Sequence, residues 1–104
     1  MTKQATLPLS PQADNPVLRM VAQLKAEHGP DVLVLVKMID FYEAFGDDAK
    51  ALCGEPCNLC LSSRQDRSGE RYPMAGFPAH TLDTYTRKLS QAGFRVAVCE
   101  EDMA

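Results

Sequence analysis

Apolar and polar positions along this chain alternate between a helical period and an extended one. Val17, Val21, Leu24 and His28 recur at helical spacing, with Met20 beside them. Asn15 offers an N-cap and Pro16 suits the first helical position, where its missing N–H would be unpaired anyway. Gly29-Pro30 then ends a first amphipathic helix. The β-branched and Leu-rich run VLVLVKM, 32–38, predicts a central strand covered on both faces. Asp40 next stands as an N-cap, and Glu43, three positions on, completes a capping box of the D-x-x-E kind. That signal predicts a second helix over about 41–53, weakened by Gly46 inside it. CNLCLS, 57–62, alternates like a strand, SRQDRSGER, 63–71, is a polar loop, and YPMAGF, 72–77, is a short extended piece. Pro73 suggests that this last piece lies at an edge or begins a strand. Pro78 opens a third helix with Leu82, Tyr85, Leu89 and Ala92 on one face and Gly93 at its end. FRVAVCE, 94–100, alternates as a final strand. Residues 1–14 lack periodicity and read as a flexible arm, and the acidic tail EEDMA, with 102–104 beyond the domain, reads as loose. The order α-β-α-β-β-α-β over 15–101 predicts a single α/β (α+β) domain. Its mixed sheet would have about four to six strands flanked by three helices.

Composition narrows the function classes. The 104 residues are 45 % hydrophobic and 24 % charged, an ordinary globular balance that fits one domain. No apolar run approaches the ~18–20 residues of a membrane span, and the first residues lack a signal-peptide core. A soluble cytoplasmic protein without a membrane partner is expected. The net charge of −3 weighs against a self-sufficient binder of nucleic acid, though Arg64, Arg67 and Arg71 outnumber Asp66 and Glu70 in one loop.

Four cysteines raise a metal reading, since Cys53, Cys57 and Cys60 form C-x3-C-x2-C. Structural zinc prefers two paired knuckles. Here both histidines lie far away in sequence, Cys99 is the one remaining thiol, and a strand over 57–62 would set Cys57 and Cys60 on opposite faces. Buried free thiols, packed as small hydrophobes, are the expectation, and no metal is assigned. Neither a G-x-x-x-x-G-K-[ST] phosphate loop nor a G-x-G-x-x-G turn is present. Asp47 and Asp48 are adjacent and point in different directions on a helix, and His80 has no nucleophile to serve. No catalytic constellation emerges.

Phe41 has two readings. It is an aromatic staple at a helix start, or an exposed ring at the end of an element, able to stack on a flat ligand or wedge between bases. The residues around it carry a resemblance. DFYEAFGDDAKAL, followed by RYPMAGFPAHTLDTYTRKLSQAGFRVAVCEE, resembles the N-terminal mismatch-recognition domain of the MutS family of DNA mismatch repair proteins. The likeness runs from about residue 16 to 101 and rests on two motifs in register, D-F-Y-E and P-M-A-G-x-P-x-H.

The resemblance implies a mixed sheet flanked by helices and a DNA-binding role without catalysis. It implies that Phe41 enters the minor groove and stacks on a mispaired or unpaired base, which Glu43 hydrogen-bonds. Met38 and Asp40 would precede the wedge, Arg64 would reach the DNA backbone, and Pro73 and Met74 would lie alongside the groove. The implied partners are double-stranded DNA with mispairs or small loops, bound weakly by this domain alone, and other mismatch repair proteins, in a nucleoid-associated setting. No cofactor is implied, because ATP belongs to an ATPase domain of full-length members that is missing here; the chain is expected to be a stand-alone or excised module. Ile39 stands where the family usually has Gly, Ser63 where a basic residue is common, and Ala79 where Tyr is frequent. The alternative is an adaptor or competitor that keeps the fold for protein–protein interaction with little DNA affinity. Exposure of Phe41 discriminates the two.

Overall fold

Asn15 caps the first helix as its sequence requires. In the computed structural model, which describes residues 15–104, its side-chain oxygen accepts from the N–H groups of Val17 (3.0 Å) and Leu18 (3.1 Å). Helix α1 spans Pro16–His28, with Val17 and Val21 buried. Strand β1 follows at Leu33–Met38, then β2 at Phe41–Phe45 and helix α2 at Asp47–Cys53. The chain continues through β3 (Ser62–Gln65), β4 (Arg71–Pro78), a 3-10 turn at Ala79–Thr81, α3 (Leu82–Gln91) and β5 (Val96–Cys99). The expected arm, 1–14, lies outside the described residues.

The five strands form one mixed sheet in the order β3-β4-β2-β1-β5. β1 pairs parallel with β5, and the β1–β2, β2–β4 and β3–β4 pairings are antiparallel. β1 is the covered strand that its composition predicts, with Leu33, Val34, Leu35 and Val36 essentially inaccessible. Alternation sends its side chains into two cores. Leu33 and Leu35 join Tyr42, Ala44, Ala75 and Phe77 on the face covered by α2 and α3, where Phe77 stacks on Tyr85 at 4.5 Å. Val34, Val36 and Met38 join Phe45 and Cys99 on the opposite face, against Val17 and Val21 of α1. Asp48 ties three elements together. Its carboxylate pairs with Lys25 of α1 at 3.0 Å and accepts the Val34 N–H of β1 at 3.1 Å.

Two expected elements are misplaced, both for tertiary reasons. Residues 41–45 are a strand, and the helix begins only at Asp47. FYEAF fits either period, but after a two-residue turn at Ile39-Asp40 it pairs with β1 on one side and β4 on the other. Those ladders override the apparent capping box, so Asp40 and Glu43 cap nothing. Gly46 is the break between strand and helix, at φ 62°, and donates its N–H to the Pro73 carbonyl at 3.0 Å. The second failure is CNLCLS. Residues 58–61 are irregular, and the strand begins five residues further on, at Ser62–Gln65, running from the last expected strand residue into the stretch expected to be loop. As an edge strand with one paired side it carries polar residues without penalty. Cys57 and Cys99 are buried and Cys53 half-buried, whereas Cys60 is exposed, contrary to the expectation of buried thiols. Burial pushes the Cys57 thiol above its ordinary pKa, against the opposing charge of Lys88.

Gly76 sets how closely β4 approaches β2. It lies opposite Glu43, and a Cβ built on it would meet the Tyr42 carbonyl oxygen at 2.7 Å and Glu43 Cγ at 3.0 Å. The first of these is backbone and cannot rotate away. Gly76→Ala is expected to cost about 1–3 kcal/mol of stability through this overpacking, read as a lowered midpoint in urea unfolding. An unchanged midpoint would show that the two strands have slack.

Candidate nucleic-acid interface

The antiparallel register places one set of side chains on a single sheet face. Met38 opposes Phe41, Val36 opposes Glu43, Glu43 opposes Gly76, Phe45 opposes Met74, and Met74 opposes Ser62. Since alternate residues share a face, Met38, Phe41, Glu43, Met74, Gly76, Ser62 and Arg64 all lie on the α1 side of the sheet. Toward the Ile39-Asp40 turn they surround a cavity of about 500 Å³, which Asp40 and the exposed Cys60 also line. Six of the seven residues singled out from sequence therefore meet at one place. Pro73 does not; alternation puts it on the opposite face, paired with Ser63, where its carbonyl holds Gly46.

Phe41 begins β2 and is 45 % exposed as a residue, although it is paired on both sides as backbone. Met38, its cross-strand partner on the same face, is buried, so an accessible aromatic stands beside a buried apolar neighbour. Glu43 is only 5 % exposed and both of its oxygens are engaged. Arg64 donates Nε to Oε1 at 2.6 Å and Nη2 to Oε2 at 2.9 Å, a bidentate charge-assisted pair. That bond holds the Arg64 guanidinium above its already high pKa, and the Arg64 side chain remains 39 % exposed. Two groups that the sequence suggested would each face DNA thus face each other. The absent Cβ of Gly76 leaves the space beside the Glu43 stem. Glycine inside a strand was the available signal for such a close approach.

The basic loop does not converge. Arg71 turns to the other face, bonding Ser63 Oγ at 3.0 Å, while Arg67 lines a second cavity of about 370 Å³ beside Arg64 and Ile39. Asp66 organises the β3–β4 turn by accepting from the Ser68 N–H and the Glu70 N–H, both at 2.9 Å, and from Ser68 Oγ at 2.6 Å. These bonds hold its carboxyl below the usual range, with the Ser68 hydroxyl the largest influence.

The hairpin turn is gripped from two sides. The Ala79 N–H donates to the Asp40 carbonyl at 2.7 Å. On the other side the tail, expected to be loose, is bound: Met103 N–H donates to the Lys37 carbonyl at 3.0 Å, and Asp102 Oδ1 accepts from Ile39 N–H at 3.0 Å. Asp102 also accepts from Ala104 N–H, and the Ile39 and Ala104 bonds lower its pKa.

Fold and site together define a small α+β domain, in which a β-hairpin presents the exposed Ile39 and Phe41 beside a pre-formed ion pair. The family model for MutS domain I matches residues 15–104, and the chain belongs to that family. It is 45 % identical over 87 residues to the DNA mismatch repair protein MutS of Methanosarcina mazei, covering 83 % of this chain and 9 % of that protein. The MutS of Desulfitobacterium hafniense is 36 % identical over 101 residues, 97 % of this chain and 12 % of the relative. That of Methanosarcina barkeri is 48 % identical over 73 residues, 69 % of this chain and 8 % of the relative. The chain thus spans about a tenth of the length of the curated relatives it matches. Among the described residues no helix is long and apolar enough to cross a membrane.

Breaking the ion pair should be asymmetric. Arg64→Ala strands a buried carboxylate and is expected to cost roughly 2–3 kcal/mol, softened because the vacated space admits water. Glu43→Ala strands only a half-exposed guanidinium and should cost about 1 kcal/mol. The double variant should recover part of the Arg64→Ala loss, which a double-mutant cycle of unfolding free energies measures; simple additivity would mean the pair is uncoupled.

Asp102 supplies a pH dependence. Its folded pKa is depressed, so its bond to Ile39 is fully present above the unfolded carboxylate value of about 3.9 and is lost as pH falls through the lower folded pKa. The Ile39 amide resonance should shift in that acid window, and Asp102→Asn should remove the titration. A titration that survives this substitution would assign it to another carboxylate.

Proposed function

We propose that this chain binds double-stranded DNA carrying a mispair or small unpaired loop, with Phe41 as a wedge entering from the minor groove. The single observation that carries this reading is the half-exposed Phe41 beside its buried cross-strand partner Met38, at the tip of a hairpin held from both sides. An exposed aromatic contributes little to folding but can offset the unstacking of a base step. A mispaired step costs less to open and kink than a matched one. Discrimination then comes from deformability, which suits a sensor of any mispair.

Glu43 and Arg64 act as a neutral unit on approach. A lone carboxylate would be repelled by the phosphates, whereas one bridged by Arg64 presents little net charge. An opened base that offers an N–H donor competes for a Glu43 oxygen, and the exposed side of Arg64 is left to meet a phosphate. Met74 and Asp40 frame the same cavity, which Pro73 does not line. The chain acts by binding, without nucleotide hydrolysis or a cofactor, in the nucleoid-associated cytoplasm alongside other mismatch repair proteins.

With Arg71 turned away, Arg64 and Arg67 are the phosphate contacts nearest the tip. Affinity of the domain alone is expected near the non-specific range of about 10⁻⁴–10⁻⁶ M and should fall steeply with salt. Phe41→Ala is expected to abolish the preference for a G·T or single-base-loop duplex over a matched one, a loss of roughly 1–3 kcal/mol. The same change should lower stability by no more than about 1–1.5 kcal/mol, because the ring is half in solvent. Fluorescence anisotropy across salt concentrations, paired with thermal melts, reads both. A folded wild-type protein that binds neither duplex would favour the adaptor or competitor alternative.

A further inference from the structure

Ile39 is the most exposed large hydrophobic residue described, at 61 %, and its φ is 60°. The two facts belong together. It is the first of two loop residues between β1 and β2, and Asp40, the second, does not share its positive φ. That pattern matches the hairpin turn whose first central position favours glycine. For a β-branched residue a positive φ is a genuine outlier, and such strain persists where the surroundings over-determine the conformation, characteristically at functional sites. The surroundings here do so: Ile39 N–H is held by Asp102, the Lys37 carbonyl by Met103, and the Asp40 carbonyl by Ala79. Folding therefore bears a strained backbone and gains little burial from the side chain. Ile39 also lines both cavities of the recognition end, that of Phe41 and Glu43 and that of Arg64 and Arg67.

From this position we infer that Ile39 is a second apolar prong, contacting the minor groove between the Phe41 wedge and the phosphates met by Arg64 and Arg67. Aliphatic wedges between base steps are an established way to kink a duplex, and one set two residues from an aromatic adds contact only once the step has opened. The inference rests on the DNA-binding reading given above. It makes Ile39 a contributor to affinity for opened sites more than for matched duplex.

Three variants of the full chain test it against a single-base-loop duplex and its matched control, with wild type and Phe41→Ala in the same anisotropy titration. Ile39→Gly should melt higher than wild type, because the strain is relieved, yet bind the looped duplex less tightly. Ile39→Asn tolerates the left-handed conformation without glycine's flexibility. Both should weaken binding roughly tenfold, the scale of burying one aliphatic side chain. Ile39→Leu should stay within about twofold of wild type, since it keeps the apolar volume. If Ile39→Asn binds the looped duplex as wild type does while Phe41→Ala loses its preference, the second prong is wrong and the wedge stands. If wild type itself shows no preference, the DNA-binding reading fails and this inference falls with it.

Discussion

Leu33–Val36 are sealed on both faces of the sheet, and this seal determines where the chain must turn and what it can present there. A strand buried on both sides has no freedom to slip, since a shift of one residue would exchange the contents of the two cores. The β1–β2 turn is thereby fixed at Ile39-Asp40, and β2 must begin with a residue facing the α1 side. Phe41 occupies that place at the sheet's end, beside Met38 on the neighbouring strand. The accessible ring is thus a by-product of register: the interior is already full of Tyr42, Phe45 and Phe77.

Within that frame the ion pair solves an electrostatic difficulty. A buried carboxylate needs both hydrogen bonds and a counter-charge; Arg64 supplies them from the neighbouring edge of the sheet. The arrangement depends on β3 being a strand, because only the ladder with β4 brings Arg64 level with Tyr72, two pairings away from Met74 on the same face. It also depends on Gly76, the residue across from Glu43 that has no side chain to displace it.

Much of this was legible in the residues, for identifiable reasons. α1 announces itself by Asn15-Pro16 and Gly29, β1 by five consecutive apolar positions, and α3 by Leu82, Tyr85 and Leu89. These signals are local and agree with the tertiary structure. FYEAF misleads because its aromatic spacing satisfies both periods while Asp40 and Glu43 mimic a helix cap. Ser62–Gln65 is invisible as a strand because an edge needs no apolar alternation. The Glu43–Arg64 pair spans 21 residues of chain and exists only once β2, β4 and β3 lie side by side. Asp40, Phe41, Glu43, Pro73 and Met74 were singled out through the D-F-Y-E and P-M-A-G-x-P-x-H motifs, but how the side chains bond to one another was not legible.

The attachment of residues 102–104 to the hairpin has a mechanical consequence. Met103 and Asp102 grip consecutive stretches of the same loop, so a pull on the end of the domain is transmitted to the tip through short, stiff hydrogen bonds. The reverse also holds: a displacement of the tip loads the tail. Residues 102–104 therefore lie along the hairpin as a splint, and turn and tail move as one body.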